Sequence, residues 1–312
     1  MLLPTPADPV SVTARNALFV ALGIVTAVFL AVFFRAWAKK RREGQLDDGG
    51  VGAGVTGFVA NFFDTLGIGS FATSTTAFRH FKLLRDEQIP GTLNVGYALP
   101  TIAEAFIYTK IIPVDTTTLI IMIAAAVLGG WLGAGVVCSW PKRRIQLGMG
   151  AALLGAAVIM FLSQPQIGLV PVGGNALGLT GTRLIVGIVG NFALGAFMMI
   201  GIGLYAPCMI LVSLLGLNAT TAFPIMMGSC AFLMPFASIR FVRKGSYAPN
   251  AALWMMLAGV PGVLIAAFIV KSLPLTWVKW LVVIVVTYAA INLLRAGLAR
   301  RAEPDMPAKA TG

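Results

Sequence analysis

The sequence is poor in the residues that carry most enzyme and metal chemistry: 312 residues include one histidine, His80, and three cysteines, Cys138, Cys208 and Cys230. That set makes no CxxC, no HExxH and no pair of axial haem ligands, which argues against a zinc site, a haem electron carrier and a disulfide framework. The three thiols lie inside apolar runs, where cysteine behaves as a small hydrophobe. Charge is scarce as well, at 11% of residues against 58% hydrophobic, with a mean hydropathy of +0.89. Soluble domains carry about 25% charged residues, so this chain has too little polar surface to face water all round. It reads as an all-α integral membrane protein. At ~20 residues per span, the length fits roughly nine to eleven crossings of one polytopic unit. Lys and Arg outnumber Asp and Glu by 23 to 11. In a membrane protein that excess marks cytoplasmic loops, so no nucleic-acid partner is expected, and no cofactor.

The apolar run from Asn16 to Trp37 is followed by Lys39, Lys40, Arg41 and Arg42. The basic flank places its C-terminal end in the cytoplasm and the N-terminus outside. A signal peptide would carry its basic cluster first, so a retained helix is expected. Residues 51–78 are apolar but interrupted from Asp64 to Gly69, with basic residues on both flanks. An odd number of crossings cannot leave both flanks inside, so this segment reads as a hairpin whose arms, ~21 Å each, are either re-entrant or fully crossing. Three spans follow, at 93–109, 117–138 and 145–162, then an uncharged loop with five Gly from Ser163 to Thr182. A second broken stretch, 183–217, is interrupted at Gly201, Ile202 and Gly203, and three more spans occupy about 219–239, 250–270 and 275–294. Every dense basic cluster then lands on one face.

The two halves align at one offset of 134: Gly67 with Gly201, Ile68 with Ile202, Gly69 with Gly203, Pro90 with Pro224 and Met122 with Met256, among others. Asn61 and Gly57 answer to Asn191 and Gly187 with a four-residue shift, about one helical turn. A hairpin plus three spans changes side once, so the copies are inverted. Inverted repeats with Gly-broken segments are the mark of secondary transporters, whose site lies where the breaks face each other. The expected organisation is an N-terminal helix and linker at 1–50, repeat 1 at 51–162, an external linker at 163–182, repeat 2 at 183–297 and a cytoplasmic tail at 298–312.

Gly201, Ile202, Gly203, Leu204, Tyr205, Ala206 and Pro207, then Leu215 and Gly216, then Gly228 and Ser229, resemble the repeated glycine-proline signature of the TauE/SafE family of sulfite and organosulfonate exporters. A weaker copy stands at Gly67, Ile68 and Gly69 and at Gly91 and Thr92, with Thr73 where the second copy has Pro207. The likeness covers most of 51–297. It implies a multi-pass permease of a bacterial cytoplasmic (inner) membrane that exports sulfite or a small organosulfonate.

A helix starting after each Gly-Ile-Gly would aim free N–H groups and its positive end into the membrane interior, an anion site without a buried cation. Candidate contacts are Gly67, Gly69, Ser70 and Thr73 at the first break and Gly201, Gly203, Tyr205 and Pro207 at the second. Asn61 and Asn191 could donate from the hairpins, and Thr92, Asn94 and Ser229 from the following spans. The plainer alternative is that such hydroxyls bond their own helices and the glycines serve close packing. Two acids lie in apolar segments, Asp64 ~20 Å and Glu104 ~18 Å from the cytoplasmic ends of their helices. An ionised carboxylate there is costly, which makes Glu104, then Asp64, the candidates for proton coupling. Asp64 as a helix cap and Glu104 paired with a basic residue are the competing readings.

The expected function is alternating-access transport of a small oxyanion. An anion channel with the same helix ends, or a small carboxylate as solute, remains an alternative, while an intramembrane enzyme lacks a catalytic constellation. The partners expected are the anionic solute and the lipid bilayer, with a homodimer left open.

Overall fold

The structure, a computed structural model, describes residues 9–67, 69–85, 87–137, 142–162, 164, 167, 174–198, 203–272 and 275–299. Among them are eleven α-helices, one 3-10 turn (Ala219–Thr221) and no named strand. In chain order the helices are α1 (Pro9–Arg42), α2 (Val51–Thr65), α3 (Ser70–His80), α4 (Ile89–Ile111), α5 (Thr116–Val137) and α6 (Lys142–Leu162). After the long loop come α7 (Gly181–Met198), α8 (Tyr205–Leu214), α9 (Ala222–Lys244), α10 (Pro249–Ser272) and α11 (Leu275–Ala299).

Four segments, Val12–Arg42, Gly181–Met198, Ala219–Lys244 and Pro249–Ile269, are individually long and apolar enough to cross a bilayer. Large apolar side chains stay exposed on the outer helices: Val20 at 62%, Trp131 at 72% and Phe268 at 77%. Such surface suits lipid and not water, and the chain is an all-α membrane protein. The short helices sit where the breaks are expected. At ~1.5 Å per residue, α2, α3 and α8 reach about 15 to 23 Å, short of the ~30 Å apolar core of a bilayer.

Both broken segments fold back on themselves. A Cβ on Gly52, near the start of α2, would lie 3.0 Å from Leu83, just past the end of α3. In the second segment Gly190 and Gly187 of α7 face Leu211 and Leu215, and Arg183 reaches Gly216. Each pair is therefore an antiparallel hairpin with its turn at the far end from these contacts.

The most extensive helix pairs are α2 with α10, α5 with α7, α6 with α11 and α4 with α9. Glycine sets two of these seams. A Cβ on Gly129 of α5 would collide with the carbonyl of Phe192 on α7, and one on Gly195 of α7 with the carbonyl of Ala126 on α5. Across α2 and α10, Gly57 meets the Met255 backbone and Gly262 the Phe58 carbonyl. In lipid no hydrophobic force draws helices together, so close backbone approach through small residues supplies the packing.

Helix ends are closed by the loops that precede the hairpins. Asp115 caps α5, its Oδ1 accepting from the Thr118 amide at 2.7 Å, and the Asp115 amide donates to the Leu177 carbonyl ahead of α7. Asp47, in the loop ahead of α2, accepts from the amides of Asn250 and Ala251 at the start of α10, both at 2.8 Å. α1 is longer than the expected span and lies along α9, α4 and α5, burying Phe29 and Phe33 and stacking Phe19 on Phe106 of α4. The 298–312 tail begins inside α11, which runs to Ala299, and residues 300–312 lie outside the described residues.

Candidate functional site

The first hairpin turns between Thr65 and Ser70. Gly67 and Gly69 have φ of +93° and +82°, values that side chains with a Cβ rarely adopt. Gly67 packs tightly: a Cβ there would lie 2.6 Å from the Met209 methyl on α8 and 3.8 Å from Val285 on α11. The tip of the first hairpin thus rests on the second arm of the other. The second turn lies between Met198 and Tyr205, with residues 199–202, and so candidate Gly201, outside the described residues. Gly203 is exposed, and a Cβ on Gly69 or on Gly203 would meet nothing within 4 Å. Among the described residues, Gly69 and Gly203 thus share an uncrowded environment at the same repeat position.

A chain of buried polar groups joins the two tips. Thr65, the last residue of α2, places its Oγ1 2.7 Å from Glu104 Oε1, and the Tyr205 hydroxyl, at the first residue of α8, donates to Glu104 Oε2 at 2.8 Å. Glu104 and Thr65 are fully buried. The Tyr108 hydroxyl, one turn along α4 from Glu104, donates to the Thr65 carbonyl at 3.3 Å, and its ring stacks on Phe223. Beside this chain, the Ser70 amide donates to Asp64 Oδ1 at 2.8 Å, and Ser74 hydrogen-bonds the Tyr97 hydroxyl. Asp64 is thus the cap of α3, offsetting its unpaired N–H groups and positive end. Glu104 does not pair with a basic residue: among the described residues the one ion pair is the exposed Lys39–Glu43 contact at 3.9 Å.

Several expected substrate contacts are occupied internally. The Asn61 amide nitrogen donates to the Gly57 carbonyl at 2.7 Å, and that of Asn191 donates to the Met122 carbonyl at 2.7 Å and to Ser229 at 3.2 Å. The amide oxygens of both are buried with no partner among the described residues. Asn191 thus spends both amide N–H groups internally, whereas Asn61 spends one of its two, and each keeps an unpartnered acceptor oxygen. Thr73 donates to the Ser70 carbonyl, Thr92 to the Gln88 carbonyl and Ser229 to the Ile225 carbonyl, each within its own helix. Thr92 also accepts from the Ala248 amide, and Asn94 bonds the Pro90 carbonyl, both in the first turns of α4, ~15 to 18 Å of helix before Glu104. All six of these positions have hydrogen-bond partners within the fold. Ser70 is buried against Asp64, and Pro207 lies in the first turn of α8.

Thr65 and Tyr108 were not singled out by the sequence, although each follows a buried polar residue by one helical turn on the same face: Asn61 to Thr65, Glu104 to Tyr108. Cys208 and Cys230 are buried, Cys230 lying 3.6 Å from the Met198 sulfur, and Cys138 is outside the described residues.

The two helix starts differ. The first helix start, that of α3, is filled by the chain's own carboxylate. At the second, that of α8, the flanking residue is Leu204, whose side chain offers no acceptor. Comparison with protein-family models, with curated proteins and with solved structures finds no match to this chain.

Proposed function

We propose that the chain is a secondary transporter of a small anion, with the solute bound where the two hairpin elbows meet. The observation that carries this reading is the bond sequence Thr65, Glu104, Tyr205, which ties the end of one broken helix to the start of the other in the buried interior. Irregular backbone at that depth is stable only where protein or a polar cavity satisfies it. The uncapped start of α8, beside open space at Gly203, presents N–H groups and a positive helix end to an anion.

The packing supports two inverted repeats, α2–α6 and α7–α11. Under that pairing α2 corresponds to α7 and α10 to α5, so the α2–α10 and α5–α7 seams are the same contact made twice. The pairs α4–α9 and α6–α11 each join equivalent helices. This is the pattern that a two-fold axis in the membrane plane produces, and rocking of one unit against the other is its natural motion. By resemblance the solute is sulfite or a C2 organosulfonate, and the protein an exporter of a bacterial inner membrane, while the basic flank after α1 argues for an N-terminus outside.

Proteoliposome counterflow with sulfite, sulfoacetate, taurine and an acetate control tests this. Saturable counterflow of a sulfur oxyanion, with acetate inert, is the expected result. Unitary currents without counterflow would make the protein a channel, and acetate counterflow would make it a carboxylate carrier.

A further inference from the structure

The hydrogen bonds around Glu104 balance only when its carboxyl carries a proton. Thr65 Oγ1 lies 2.7 Å from the Asn61 carbonyl oxygen and 2.7 Å from Glu104 Oε1. A threonine hydroxyl has one proton to donate, and a backbone carbonyl has none. That proton completes the bond to Asn61, the usual back-bond of a threonine to the carbonyl four residues earlier in its helix. Were it turned to Glu104, the lone pairs of Thr65 and Asn61 would face each other at 2.7 Å in a buried site. The short contact to Glu104 therefore needs a proton from Glu104 itself. Its other oxygen, Oε2, accepts from Tyr205, the role of the carbonyl oxygen of a neutral acid.

We infer that Glu104 is the proton-binding site of this protein and that the conformation described here holds the proton. The order is Tyr205 O–H to Oε2, Oε1–H to Thr65, and Thr65 O–H to Asn61. The titratable groups that interact electrostatically with Glu104 are Asp64 on α2, Tyr108 on α4, Tyr205 on α8 and Cys230 on α9, every one an acid and none a cation. From α1, α3 and α10, which also pack on α4, none reaches it among the described residues. Asp64 has its own donor in the Ser70 amide and the positive end of α3, which suits it to carry the negative charge. Two neighbouring carboxyls in a site with no cation divide the work this way, one ionised and one protonated.

A consequence follows for transport, and it rests on the anion-carrier reading. Tyr205 both heads α8 and bonds Glu104, so an anion at the start of α8 lies beside this carboxyl. The neutral acid leaves the field of the helix end to the solute, whereas a carboxylate repels it. Proton and anion then favour each other's binding, and the coupling is reciprocal. Losing the proton frees Thr65 to turn toward the carboxylate, releasing the Asn61 carbonyl and loosening the last turn of α2 beside the elbow.

Infrared difference spectroscopy on the reconstituted protein, titrated from acid to alkaline, reads the assignment without transport. A protonated-carboxyl C=O band should titrate in the wild type, vanish in Glu104→Gln and persist in Asp64→Asn. Thr65→Val keeps the acid and should move its band toward that of a carboxyl lacking an acceptor, which covers the case of a misfolded Gln variant. A band that survives Glu104→Gln, or is absent at every pH, overturns the assignment. Sulfoacetate affinity should weaken by about tenfold or more as the band titrates and stay flat in Glu104→Gln. Flat affinity in the wild type alongside a titrating band overturns the coupling. A titrating band in a protein that takes up none of the anions leaves the proton site standing and removes the carrier reading.

Discussion

The two hairpins share a plan and differ at their tips. In the first, Asp64 turns back to the amide of Ser70, two glycines adopt positive φ, and Gly67 is wedged against Met209. In the second, Leu194 and Met198 are the residues 130 and 134 positions after Asp64, so no acid returns to the helix start. Pro207 occupies its first turn and Gly203 is open. One elbow is closed by its own carboxylate and acts as a brace. The other carries no such acid, and on the proposed reading its helix start is the one left for the solute.

The comparison breaks most easily at the glycines. Gly203→Leu adds bulk where a Cβ meets nothing within 4 Å. Counterflow should fall by about 100-fold with thermal melting unchanged. Gly67→Ala should do the reverse, costing about 2 kcal/mol of stability through its left-handed backbone and the Met209 methyl, as read by thermal melting of the detergent-solubilised protein. If both variants act only on stability, the division of roles fails. Tyr205→Phe removes the hydroxyl bond between the tips and should cost about 1.5 kcal/mol in melting experiments, with transport reduced in step. Asp64→Ala uncaps α3, for about 1 kcal/mol, whereas Leu194→Ala in the second hairpin should leave the start of α8 unaffected in hydrogen exchange. Cys230→Ala sharpens the comparison at its smallest end. Its thiol makes a weak contact with the Met198 sulfur at 3.6 Å within the buried core, and transport should stay within about twofold.

Helix order was legible in the sequence because apolar runs, basic flanks and Gly-rich breaks each carry their own physical signal. The first break, expected from Asp64 to Gly69, lies between Thr65 and Ser70. The two buried acids were legible too, since a carboxylate in an apolar run is rarely accidental. Their partners were not. Thr65 and Tyr108 are ordinary residues until α2 is packed against α4, and tertiary contact is not written in local pattern. Asn61, Asn191, Thr92 and Ser229 looked like ligands because polar groups in apolar helices stand out, yet their nearest acceptors are carbonyls of their own or adjoining helices. Glycine carried both meanings: Gly129 and Gly195 are packing positions, Gly69 and Gly203 face open space.

Solute protection at the second elbow tests the whole arrangement most directly. In a background lacking Cys138, Cys208 and Cys230, a thiol introduced by Gly203→Cys is labelled with a maleimide, with and without sulfoacetate. Glu43→Cys, in the exposed linker, serves as the control. The account predicts that sulfoacetate slows labelling at 203 and leaves 43 unchanged. Equal rates at 203 with and without any of the tested anions, in protein that transports them, would contradict it.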